Sequence, residues 1–403
     1  MSDSVAKQVV LVTGASGCLG QHVVKLLQER DDTVVLVTGA SGCLGQHVVK
    51  HLQERDDTVK EIKCMDLKPY QNNLQHKTEK PMTIITADIR NERAVVKALE
   101  GVDYIRNERA VVKALEGVDC VIHCAALIDT SLWPDVKSMN SVNVDGTQIL
   151  IDASVELNVK YFVYVSSVDV VVGDDPIYFG AENTTPLPKR HILPYSKTKL
   201  DAEVIVKEAN GRPLPNGTDK LQTIILRPSL LYGEEDHHFV TTALQVARHQ
   251  SGVLRTIDNV FVRIQPTYAG NAGWACIRAK DKLQTDESVA GEEFFVTDDT
   301  QILDPFEFLA PYVQCRGYSL SKRSYPYWLF MLIMYFIVLF VRVLWSVYPI
   351  ELPKGVTPEN MRYLCNTYFF NRNKAILRLD YEPLYGHEES QQKSIQYYKK
   401  LYL

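Results

Sequence analysis

Tyr195 and Lys199 are the side chains in this sequence best suited to moving a proton. They lie in PYSKTK, four residues apart on a helix expected over Ser196 to Glu208, a separation that brings both to one face. A lysine ammonium beside a phenol lowers the phenol's pKa from its usual value of about 10. Such a phenol exchanges a proton with an alcohol near neutral pH. With 21 tyrosines the spacing also arises by chance, and Tyr318 with Lys322 has it too. Context separates the two pairs. Tyr195 follows YFVYVSS, a strand whose Ser166 and Ser167 fall at its C-terminal end, where ligands bind in open parallel sheets. The Tyr318 pair adjoins a long apolar run instead. Ser167 is expected to orient a substrate oxygen, against the plainer reading of a hydroxyl that finishes a strand end.

A second chemical feature is a glycine-spaced turn that occurs twice. Val9 to Gly20, VVLVTGASGCLG, returns letter for letter as Val34 to Gly45, and residues 34–58 reproduce 9–33 with one change, Leu26 against His51. In TGASGCLG the first glycine allows a tight turn out of a strand, the second lets backbone N–H groups approach a pyrophosphate, and the third lets the helix pack on the strand. The phosphate then sits on a helix N-terminus. Asp66 ends the next strand, EIKCMD, 27 positions after Gly39 but 52 after Gly14. The strand following the first copy carries no acid at its end. This spacing selects Gly39, Gly42 and Gly45 and leaves Gly14, Gly17 and Gly20 as a passenger. A carboxylate at Asp66 accepts hydrogen bonds from a ribose 2′-hydroxyl and would repel a 2′-phosphate, which favours NAD. Asp88, after the third strand, is placed to touch the adenine, with an N-cap of a helix from Arg90 to Leu99 nearly as good a reading. Ala125, with Ala126, is small enough to leave room for the dinucleotide.

The elements that would position these residues alternate. Strands are expected at Val34–Val37, Glu61–Met65, Thr83–Ala87, Cys120–Cys124, Tyr161–Val165 and Thr223–Leu226, and helices at Leu44–Glu54, Val144–Leu157 and Ser196–Glu208. That order implies an α/β protein with a Rossmann-type, doubly wound parallel sheet. Residues 1–260 are read as the dinucleotide-binding domain, with Asn210–Asp219 as a surface loop, and 261–403 as a smaller C-terminal substrate-binding and membrane-associated region. Ile89 to Asp103 recurs unchanged as Ile105 to Asp119, a second duplication. Two unrelated segments, each copied once almost without drift, do not make a stacking array. The surplus copies are expected as an added unit or a looped-out segment.

Composition removes other classes. A net charge of −5 and a pI near 6.1 give no basic footprint for nucleic acid. Eight scattered cysteines without a CxxC pair point to reduced thiols and away from a zinc site. MSDSVAKQ runs straight into the first strand, so no cleavable signal peptide is expected. Tyr327 to Val347 holds 21 residues with one charge, Arg342, against the roughly 20 needed to cross a bilayer. It is expected to cross with Arg342 snorkelling, or to lie in one leaflet.

TGxxGxxG, the strand-end serine, YxxxK and RPSLLYG at Arg227 to Gly233 together resemble the extended short-chain dehydrogenase/reductase superfamily. Ile264–Ala279, Gly291–Thr300 (GEEFFVTDDT) and Leu379–Glu389 resemble blocks of the 3β-hydroxysteroid dehydrogenase/Δ5-Δ4 isomerase family. The resemblance implies an NAD-dependent oxidation of a steroid or sterol. In it Tyr195 takes the proton of a 3β-hydroxyl, Lys199 holds the ribose and tunes Tyr195, Ser167 orients the oxygen, and Pro228 lines the nicotinamide end. It also implies a double-bond shift by Asp298 or Asp299, contact with membrane lipid at the endoplasmic reticulum or mitochondrion, and a homodimer. Rival readings are a sterol 4α-carboxylate 3-dehydrogenase and a non-catalytic dinucleotide-binding scaffold.

Overall fold

A computed structural model describes residues 33–90, 118–258, 262–344 and 356–403. Nearly all of the first glycine copy and most of both copies of the 15-residue repeat lie outside the described residues, and with them the expected fate of the surplus segments.

Seven strands form the main sheet: β1 Thr33–Thr38, β2 Val59–Asp66, β3 Met82–Thr86, β4 Cys120–His123, β5 Tyr161–Val165, β6 Gln222–Pro228 and β7 Glu293–Val296. Their order is β3-β2-β1-β4-β5-β6-β7, and every neighbouring pair is parallel. The order reverses between β1 and β4, which opens the crevice where ligands bind in such sheets. β1 reads TVVLVT, apolar without alternation, because both faces of the sheet are covered.

Successive side chains of a strand point to opposite faces, and the packing follows that period. Val35 and Val37 join Val48, Leu52 and Ala275 on one face, under helices α1 (Cys43–Arg55) and, further along the chain, Ala269–Thr285. Leu36, between them, joins Leu150, Ala202 and Val206 on the other, under α2 (Gly146–Glu156) and α3 (Pro194–Ala209). Pro194 opens α3, where its fixed φ suits the first helical turn. Glu203 of α3 takes a bidentate grip on Arg227 of β6 at 2.8 and 2.6 Å, with both groups buried, and so ties this helix to the sheet.

The sheet does not stop at residue 260. Helix α5 (Ala269–Thr285) packs across it and β7 is its seventh strand. A separate apolar cluster gathers α4 (Val240–His249) and α6 (Pro305–Gln314), with Tyr232, Phe239, Phe308 and Tyr312 at its centre. Helix α7 (Tyr327–Leu344) and α8 (Pro358–Leu364) lie against this cluster through Phe330 and Leu364.

Candidate active site

The glycine turn leaves β1 where no side chain fits. Gly39 has φ +67°, and a Cβ there would stand 2.7 Å from the Ala125 backbone. At Gly45 a Cβ would stand 2.0 Å from the Gly39 carbonyl oxygen. Gly42 is looser, with its nearest neighbour at 3.3 Å. Gly42 precedes α1 and no side chain caps that helix, so its first N–H groups are available to an anion. Asp66, closing β2, receives the Ser41 N–H at 3.0 Å and the Lys68 N–H at 3.3 Å, which holds its carboxylate beside the turn. The structure therefore brings Gly39, Gly42, Gly45, Asp66 and Ala125 together in a cradle of the kind a dinucleotide needs. Asp88 is paired within its own turn. Its carboxylate accepts the Arg90 N–H at 2.9 Å and pairs with the Arg90 guanidinium, whose hydrogen bond holds its pKa below the usual carboxylate value. The helix expected beyond Arg90 lies outside the described residues.

Tyr195 and Lys199 occupy the first turns of α3, both buried. Lys199 Nζ donates to Val165 O at 2.7 Å and sits 4.2 Å from the centre of the Tyr164 ring. Burial lowers its pKa to about 7, opposed in part by Glu203. The expected depression of the Tyr195 phenol is not found: burial, then the charge of Asp169, pushes it upward. The helical spacing holds, but Lys199 directs one of its N–H groups to Val165 O and desolvation of the phenolate is the larger effect. Ser167 Oγ accepts the Asp169 N–H at 3.2 Å and caps a 3₁₀ turn, Val168–Val171. Pro228 closes β6 and pairs with Val296 of β7.

A buried chain of hydrogen bonds links these elements. Thr147 Oγ1 donates to Asn143 O at 2.7 Å, so it accepts from His123 Nε2 at 3.0 Å. That leaves His123 Nδ1 to accept the Thr38 hydroxyl at 2.7 Å, and Thr38 Oγ1 in turn receives the Ala125 N–H at 3.4 Å. Burial lowers the His123 pKa to about 3, so the ring is neutral at pH 7. Asn143 Nδ2 donates to Thr198 Oγ1 at 2.9 Å, and the Thr198 hydroxyl donates to Tyr195 O at 2.7 Å. The ends of β1 and β4 and the first turn of α3 are thereby fixed to one another.

Tyr195 also lines a cavity of about 530 Å³, within the ~300–1,000 Å³ usual for small-molecule sites. Its walls are mostly apolar, with Leu230, Phe239, Val246 and Leu309 from the second cluster and Phe330, Ile333, Met334 and Ile337 from α7. The run expected to enter a membrane is thus a helix with one side on the cavity. Trp328, Phe336 and Phe340 are 67%, 62% and 62% exposed. Among the described residues no helix is long and apolar enough to cross a membrane.

The two acids expected to shift a double bond do not line this cavity. Asp298, just past β7, accepts the Tyr268 N–H (2.9 Å), the Asn271 amide (2.8 Å) and the Thr300 N–H (2.9 Å), and so pins the start of α5. Asp299 pairs with Arg372.

Comparison with known proteins turns this geometry into a classification. Residues 36–105 and 103–327 match the 3-beta hydroxysteroid dehydrogenase/isomerase family. The chain belongs to this family. It is 30% identical to mouse 3 beta-hydroxysteroid dehydrogenase type 7 over 98% of both chains, and 29% identical to the human protein of that name over 98% of this chain and 97% of the relative. DesIV, a dTDP-glucose 4,6-dehydratase from Streptomyces venezuelae solved with NAD and TYD bound, superposes with a TM-score of 0.62 at 18% identity, covering 91% of this chain and 97% of that one, and shares the fold. The family match begins at Leu36, within the second glycine copy, and divides at 103–105, where the copies of IRNERAVVKALEGVD meet.

Sequence reasoning missed two residues that the structure places beside Tyr195 and the residues around it. Asn143 lies in a π-helical turn, Ser141–Asp145, joined to a helical turn at Val136–Asn140, whereas periodicity placed the helix start at Val144. Such turns break the 3.6-residue period and recur at functional sites. Asp169 lines the cavity beside Tyr195; the only sequence signal was its place two residues after the strand-end serine.

Proposed function

We propose that this chain is an NAD-dependent dehydrogenase that oxidises the 3β-hydroxyl of a steroid to a ketone, with a coupled shift of the Δ5 double bond. The observation that carries the reading is the apolar cavity with Tyr195 on its wall, at the C-terminal side of a parallel sheet that ends in a glycine cradle. The names of the mouse and human relatives support the substrate class.

The residues present fit NAD. Gly39 and Gly45 permit the tight turn and the close helix packing, Gly42 leaves backbone room for the pyrophosphate, and Asp66 is held where a ribose diol would reach it. When bound, NAD supplies the hydride acceptor at carbon 3. Tyr195 takes the hydroxyl proton, the Ser167 hydroxyl orients the substrate oxygen, and Lys199 stands one helical turn behind Tyr195 to hold the ribose. The test is NADH formation by the detergent-solubilised full chain given NAD and a 3β-hydroxy-5-ene steroid, beside a sugar nucleotide as control. NADH with the steroid alone is expected; NADH with the sugar nucleotide alone, or none at all, would overturn the reading.

The same proposal seats the protein on a lipid surface, at the endoplasmic reticulum or mitochondrion, through the outer side of α7. Trp328, Phe336 and Phe340 support it, since several large exposed apolar groups on one helix suit an interfacial position. Replacing Phe336 and Phe340 together with Ser is expected to lower co-flotation with phosphatidylcholine vesicles by tenfold or more. Equal flotation of variant and wild type would exclude this face.

A further inference from the structure

After oxidation, a 5-ene-3-ketosteroid becomes conjugated only if a proton leaves carbon 4 and one arrives at carbon 6. The group that carries it has to stand in the cavity that holds the steroid. Among the described residues lining that cavity, Asp169 is the one carboxylate. It projects from the 3₁₀ turn that follows β5, and Ser167 Oγ fixes that turn by accepting the Asp169 N–H at 3.2 Å. Its Oδ1 accepts the hydroxyl of Tyr363 at 2.8 Å, and Tyr363 lines the same cavity from α8. Tyr363 thereby anchors the carboxylate at the wall of the cavity.

We propose that Asp169 is the acid–base group of the double-bond shift, an assignment that rests on the dehydrogenase reading above. The carboxylate takes a proton from carbon 4, and the C4–H electron pair becomes the C3–C4 double bond of a dienolate whose oxygen is hydrogen-bonded by Tyr195. The C3 carbonyl then re-forms, the C3–C4 pair moves to C4–C5, and the C5–C6 pair takes the proton from Asp169 at carbon 6. The proton is conserved and no electron leaves the steroid, so the step consumes no co-reactant. The surroundings suit a group that both takes and returns a proton. Burial raises the Asp169 pKa, while the hydrogen bonds from Tyr363 and Ser167, and then His191, act against that rise. His191 is held nearby, with its Nε2 3.0 Å from Val170 O.

The experiment uses the detergent-solubilised full chain as wild type, Asp169→Asn and Asp169→Glu. Isomerisation is read as conjugated enone absorbance from a supplied 5-ene-3-ketosteroid in the presence of NADH. Oxidation is read as NADH from a 3β-hydroxysteroid without a double bond. Asp169→Asn is expected to lower isomerisation about 100-fold more than it lowers oxidation, the scale of a lost general acid–base group, and Asp169→Glu to restore part of it. A proportional fall in both activities, or undiminished isomerisation in Asp169→Asn, would overturn the assignment. Wild type that makes NADH but no enone overturns this inference and the coupled double-bond shift, and leaves the dehydrogenase reading standing. Wild type that makes no NADH overturns the dehydrogenase reading, and this inference with it.

Discussion

Tyr195→Phe is expected to lower kcat/KM for steroid oxidation about 10³-fold, measured as initial NADH formation. The change removes one oxygen and keeps the ring, so the packing of a buried side chain at the start of α3 is conserved. On the proposed reading the change removes the proton acceptor for the substrate hydroxyl, and positioned acid–base groups contribute roughly 10²–10⁴ to rate. Tyr195 is raised in pKa by burial and by Asp169, so its phenolate is costly until a positive charge stands beside it. Lys199, whose Nζ donates to Val165 O, is not among the groups that offset that rise. The rate is therefore expected to climb with pH in the wild type and to lose that dependence in the Phe variant. A loss below tenfold would remove Tyr195 from the chemistry.

Gly45→Ala is expected to weaken NAD binding by roughly 10- to 100-fold and to lower the thermal midpoint. Its Cβ would stand 2.0 Å from the Gly39 carbonyl oxygen, which is backbone and cannot rotate away. Either α1 or the turn has to move, at the ~1–3 kcal/mol typical of overpacking, where each 1.4 kcal/mol is tenfold in affinity. The turn has little room to absorb the shift at Gly39, where even a Cβ would stand 2.7 Å from the Ala125 backbone. Gly20→Ala, the same change in the first copy, is expected to leave NAD affinity as it was. Calorimetric titration with NAD checks both. Loss of binding in Gly20→Ala with retention in Gly45→Ala would assign the cofactor to the other copy.

How far the sequence could be read depended on whether a feature is local. Glycine spacing and the distance to Asp66 are properties of one short stretch, and the structure sets that turn after β1 with Asp66 beside it at the end of β2. The apolar runs of β1 and β5 needed no partner to be recognised, because burial on both faces leaves no alternation to mistake. Tyr195 and Lys199 did fall on one helix face. Their electrostatics did not follow from spacing, since these depend on Val165 O and on burial contributed by distant segments. Asn143 was hidden by the π-helical turn that carries it.

Long-range packing accounts for the rest. The apolar run at 327–347 has the composition of a membrane segment, and nothing local says that Phe330 and Met334 would wall a cavity with Tyr195 some 130 positions earlier. Asp298 and Asp299 adjoin β7, whose place beside β6 sets them apart from the cavity that Asp169 enters.

The central claim is that hydride leaves carbon 3 of a steroid held against Tyr195. It is tested most directly with a 3β-hydroxysteroid carrying deuterium at carbon 3, incubated with NAD and the detergent-solubilised protein, followed by mass spectrometry of the nicotinamide cofactor. The expected result is one deuterium in the reduced cofactor for each ketone formed, with both products suppressed in Tyr195→Phe. Unlabelled NADH, or ketone formed without labelled cofactor, would contradict the account.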